Sequence, residues 1–251
     1  MSQAMNSAFR RIDTEYRQGS PAVEHAGPGG PAWAPTTRFQ ASRAYDKLIG
    51  LSIVVLLAAV AGWAVVPIGW AVAAMFVAFG AVLVSWFRMQ WAKVLAPIYA
   101  VCEGIALGAI SGVYATVGHG IVPLAVVFTG GVFLGAITVY RIGLIRVTPR
   151  MWRMATMGAM GLIAVAILSM FIGIPGLNTF GPIGALIGVV CLFVAVTNLF
   201  VDFEYVQRAE SLGVSADAEW AAAFAMLTAM VLVYLSILRI LASMYGGGRR
   251  R

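Results

Sequence analysis

Forty consecutive residues, Leu48 to Phe87, contain no Asp, Glu, Lys or Arg, and are broken only by Pro67-Ile68-Gly69. A run of that length is twice what one helix needs to cross the ~30 Å hydrocarbon layer, because ~20 residues suffice at 1.5 Å per residue. It reads as two spans joined by a tight turn. Val94 to Tyr140 carries one charge, Glu103, and breaks at Gly118-His119-Gly120. Met154 to Val201 is uncharged for forty-eight residues and breaks around Gly173-Ile174-Pro175-Gly176, Asn178 and Gly181-Pro182. The nineteen residues from Trp220 to Leu238 stand alone. Three hairpins and one further span make seven helices, at about 48–66, 69–87, 95–117, 121–140, 152–174, 182–203 and 220–243.

Composition agrees with this reading. Of 251 residues, 61% are apolar and 11% charged, too few polar groups to cover the surface of a water-soluble domain. The net charge is +7, but no soluble face remains on which basic residues could mass against a nucleic acid. The lipid bilayer is the partner that composition demands. Basic residues set the orientation, because short cytoplasmic loops hold the Lys and Arg excess. Six precede the first span (Arg10, Arg11, Arg17, Arg38, Arg43, Lys47), and the loops after spans 2, 4 and 6 hold two, four and one. The other three loops hold none, so the amino terminus is expected inside the plasma (cytoplasmic) membrane. Seven crossings put residues 246–251, with Arg249 to Arg251, on the far side. Residues 1–45, rich in Pro and Gly, read as a flexible basic cytoplasmic tail and 46–245 as the transmembrane domain. No apolar stretch of signal-peptide type follows Arg10-Arg11.

Signatures of intramembrane catalysis are missing. There is no HExxH, and the last span holds no Lys. Cys102 and Cys191 fall inside spans and read as packing residues. No enzyme activity, cofactor or metal site is expected. The remaining candidates are polar groups within apolar helices, which mark function by default. Glu103 is a carboxylate close to midplane, either hydrogen-bonded to a neighbouring helix or directly involved in permeation or a proton-linked step. Gly104, Gly108 and Gly112 form a small-residue stripe suited to close helix packing. Asn198 and Asp202, four residues apart at the end of span 6, share a helix face as pH-sensing or gating candidates. Glu204 points away from them and can pair with Arg208 one turn on.

The segments Ala96-Pro97-Ile98-Tyr99-Ala100-Val101-Cys102-Glu103-Gly104-Ile105-Ala106-Leu107-Gly108, Tyr140 to Pro149, Asn198 to Glu204, Glu219-Trp220-Ala221-Ala222-Ala223-Phe224 and Tyr234 to Leu241 together resemble the Bax inhibitor-1/YccA family of seven-helix membrane proteins, most closely a bacterial branch. The resemblance implies an all-α integral membrane fold in which two three-helix layers surround a central C-terminal helix. It also implies a pH-sensitive calcium leak gated by two Asp residues, one ending helix 6 and one inside helix 7. Asp202 matches the first. The second falls at or near Ala229, and the acidic position of the bacterial branch nearer Leu238-Arg239 reads Ser236. A gate in this chain must therefore combine Asp202 with Glu103, Glu219 or Arg239. If a closed state pairs Asp202 with an Arg, protonation breaks the pair and acid opens the gate. Two function classes follow: a cation leak with calcium or protons as permeant ions, or a non-transporting regulator that binds other membrane proteins, as some relatives do with a quality-control protease.

Overall fold

The structure is a computed structural model, and it describes residues 38–64, 67–118, 120–172 and 181–247. The expected tail over 1–37, the break at 173–180, His119 and Arg249 to Arg251 lie outside the described residues. Seven α-helices occur among those described: α1 (Ala41–Ala64), α2 (Ile68–Phe87), α3 (Ala92–Ala115), α4 (Ile121–Arg141), α5 (Pro149–Ile172), α6 (Pro182–Leu212) and α7 (Ala218–Gly247). Five of them, α1, α3, α4, α6 and α7, are long and apolar enough to cross a membrane, and the apolar stretch of α2 covers Gly69–Ser85.

Several helices run past the charge-free segments that betray them. Helix α1 begins at Ala41, inside the segment expected to be tail, and α6 continues to Leu212. At 31 residues α6 is roughly 46 Å long, well beyond the hydrocarbon thickness, so its last turns carry charge in the polar layer. A hydrocarbon environment excludes charge; it does not end a helix. Gly213 does that, with φ 62° and its N–H given to the carbonyls of Ala209 and Glu210. Only a residue without Cβ adopts that left-handed turn at little cost, and the chain reverses directly into α7.

Consecutive helices are not always packing partners. Helices α1 and α2 make at most marginal contact, because α3 lies between them and packs on both; likewise α6 packs on both α4 and α5. Glycine explains the first of these insertions. A Cβ on Gly104 would lie 2.6 Å from the Ala58 Cβ, and one on Gly108 would collide with the Ala59 carbonyl oxygen. Across the seam, a Cβ on Gly62 would strike the backbone of Ile105. The backbones of α1 and α3 therefore touch, as small-residue stripes permit. Gly112 has open space where its side chain would be, so the stripe uses two of its three glycines on this seam.

Helix α7 contacts α1, α3, α4 and α6. In its most apolar window 67% of the residues are buried, against 22–44% in the corresponding windows of the other four long spans. Met226, Leu227 and Leu238 on α7 are fully buried, as are Leu199 and Phe203 on α6. Lipid-facing helices keep apolar side chains outward, so exposed residues such as Leu57, Val127 and Leu186 are the expected exterior of this fold.

Candidate functional site

Charge gathers where α1 starts and the α6–α7 corner turns. The first backbone N–H groups of a helix have no partner within it. Here they are met by side chains from distant parts of the chain: Gln40 N–H donates to Glu219 Oε1 at 3.1 Å and Ala41 N–H to Glu210 Oε1 at 3.0 Å. Both carboxylates sit at the positive end of the α1 dipole. Glu219 is itself 1% exposed, and Lys47 Nζ donates to its Oε2 at 2.6 Å. The same ammonium lies 4.9 Å from the centroid of the Trp220 ring. Glu219 is thus fully engaged, and it is not the neighbour of Asp202 that the sequence allowed.

A second network joins α4 to α6. Tyr140 Oη donates to Glu204 Oε2 at 2.9 Å and stands 3.0 Å from Gln207 Oε1, while Arg208 Nε donates to Glu204 Oε1. The Glu204–Arg208 pair is present as its i,i+4 spacing suggests. Glu204 is more than a solvated-face residue, however, because it holds a tyrosine of another helix. The Tyr140 ring also packs against Phe203, with centroids 5.7 Å apart. Tyr140 was invisible as a candidate: nothing in the spacing of a single sequence links positions 64 residues apart.

Glu103 and Asp202 differ from these carboxylates. Both are partly buried within helices, and among the described residues neither makes an ion pair or a hydrogen bond. Their depths follow from neighbours. Tyr99 meets Phe224 edge-on, with centroids 5.0 Å apart, and Phe224 lies five residues beyond Glu219. Helices α3 and α7 run in the same direction, so Glu103, four residues past Tyr99, is level with position 228, roughly 13 Å along the axis from Glu219. Asp202 precedes Glu210 by eight residues, roughly 12 Å. The two carboxyls therefore share a depth, and Ala229, 3% exposed on α7, falls within a turn of it.

Asn198 does not turn to Asp202: its Nδ2 donates to the Val194 carbonyl of its own helix at 2.9 Å. Ser236 likewise bonds the Leu232 carbonyl one turn back, and is 3% exposed. Arg239 lies within electrostatic reach of Tyr114 on α3 and Cys191 on α6. Cys191 is eleven residues from Asp202, roughly 16 Å along α6, so Arg239 belongs to the opposite half of the bundle. Asp202 therefore stands between the Glu219 and Arg239 levels. On that far side Ser111 and Tyr234 share a hydrogen bond of 2.7 Å joining α3 to α7.

No group of three or more His, Cys, Asp or Glu residues able to hold a metal occurs among the described residues. No curated protein matches the chain significantly. The family described as Bax inhibitor 1 like matches residues 6–246, nearly the whole length and every helix described above. With that match covering both partly buried carboxyls and the α6–α7 corner, the chain belongs to the Bax inhibitor 1 like family.

Proposed function

We propose that the protein is a pH-sensitive cation leak, not an enzyme, of the plasma membrane, with seven spans, the last at the centre, and the amino-terminal, charged end in the cytoplasm. One observation carries this reading: two carboxyls, Glu103 on α3 and Asp202 on α6, lie at about the same depth in the bundle, and among the described residues neither has a hydrogen-bond or ion-pair partner. A carboxyl in a dry layer is stable when neutral; once ionised, it needs water or a cation beside it. Two such groups at one level, on helices that both pack on α7, give a cation a place to pause between the two faces. Family membership supports the same reading. The permeant cation is calcium, with protons competing for the same oxygens. Calcium flux into proteoliposomes at several pH values tests it: flux above that of protein-free vesicles, lost in Asp202→Asn, is the expected outcome.

A regulator that binds another membrane protein is the second reading. It is favoured by the far loops, where the described residues around 115–121 carry no carboxylate to draw cations in. Undiminished binding partners in pull-downs from membranes, combined with vesicles that do not leak, would favour it.

A further inference from the structure

The corner built by Glu210, Val214 and Glu219 does more than cap a helix. Phe39 is an apolar residue between Arg38 and Gln40, and it is 2% exposed while both neighbours are open to solvent. Its N–H donates to the Val214 carbonyl at 2.8 Å, and Arg38 bridges Ser215 in antiparallel fashion. Gln40 and Ala41 continue the contact through Glu219 and Glu210, and Lys47 closes it from the next turn of α1. Four consecutive residues, with Lys47 beyond them, thus fasten the chain entering α1 to the connection between α6 and α7. The fastening joins distant parts of the described chain at the charged end of the bundle, where α1 and α7 pack together.

We infer that residues 38–41 are a clasp, closed in this structure, that holds the α6–α7 corner against the start of α1 and so fixes the position of α6 and of Asp202. Glu210 and Asp202 lie on one uninterrupted helix, about two turns apart. A displacement at the corner is therefore passed to Asp202 without a joint to absorb it. The clasp rests on geometry alone; its effect on transport rests on the leak reading.

The bridge geometry supplies the test. Because the Phe39 N–H is given to Val214 O, Arg38 and Ser215 form a non-hydrogen-bonded antiparallel pair, in which Cα atoms lie ~4.5 Å apart, within disulfide range. In the full chain carrying Cys102→Ala and Cys191→Ala, Arg38→Cys with Ser215→Cys locks the clasp on oxidation and frees it on reduction. Hydrogen exchange is read in lipid vesicles, alongside Phe39→Ala. The clasp predicts exchange across 202–212 about fivefold or more faster in Phe39→Ala than in wild type, and slower in the oxidised than in the reduced double-cysteine chain, with α4 unchanged. Acceleration confined to 213–219, or identical exchange at 202–212 in the oxidised and reduced forms, overturns it. Calcium flux in the same vesicles separates the two proposals: exchange that follows the clasp in vesicles that never leak sustains the clasp and removes the leak.

Discussion

Glu219 shows how much depends on a single buried charge. At 1% exposure its carboxylate relies on Lys47, and removing one member of a buried pair leaves the other uncompensated, at about 3–5 kcal/mol. Lys47→Met is therefore expected to lower stability by about that amount, while Lys47→Met with Glu219→Gln recovers much of it; chemical denaturation of both variants in detergent checks this. The glycines give a sharper contrast. Gly108→Leu drives a side chain into the Ala59 and Trp63 backbone, which cannot move as a side chain can, and should cost ~3 kcal/mol or more. Gly112→Leu, facing open space, should melt close to wild type, and Gly118→Leu, which meets the flexible end of Ile121, should fall between. Equal melting temperatures for the 108 and 112 variants would refute the seam. At this scale the sequence was partly legible. A Cβ on Gly104 or Gly108 would meet α1 and one on Gly112 open space, a difference the spacing does not carry, because period four identifies a helix face without saying what lies against it. Phe39 and Lys47 carried no signal, since their contacts are with residues more than 170 positions away.

Among the helices, the charge-free runs identified all seven described, since no polar group is tolerated where lipid surrounds the backbone. Their ends were misplaced by up to nine residues, at α6, because a helix continues through the polar layer until a residue such as Gly213 stops it. Packing is not legible in the same way: a tight turn fixes which helices are consecutive, and small residues decide which ones touch. The α4–α6 network allows a test. Tyr140→Phe deletes the hydroxyl that Glu204 accepts, but leaves the Glu204–Arg208 pair intact, so the expected loss is about 1 kcal/mol. Glu204→Leu removes both contacts, leaves Tyr140 Oη with Gln207 alone and strands Arg208, and should cost clearly more. A Tyr140→Phe variant as unstable as Glu204→Leu would mean that the ion pair contributes nothing.

For the whole molecule, the distribution of basic residues predicts that reporters fused after Pro149 and after Arg251 lie on opposite sides of the membrane; both on the cytoplasmic side would mean an even number of crossings. The proposed function turns on the layer shared by Glu103 and Asp202. A closed state latched by Asp202 and an Arg would make acid the opening stimulus, yet Arg208 is held by Glu204 and Arg239 lies in the other half of the bundle. With no ion pair to Asp202 among the described residues, the leak proposed here has the opposite sign. The ionised carboxyls are the forms that draw in water and a cation, so protons compete with the permeant ion and flux should rise with pH. The most direct measurement is calcium flux between about pH 6 and 8 for wild type, Asp202→Asn and Glu103→Gln in identical liposomes. The account predicts wild-type flux that rises with pH and two variants that are low and nearly flat. Three overlapping curves, or wild-type flux no greater than that of protein-free vesicles, would contradict it.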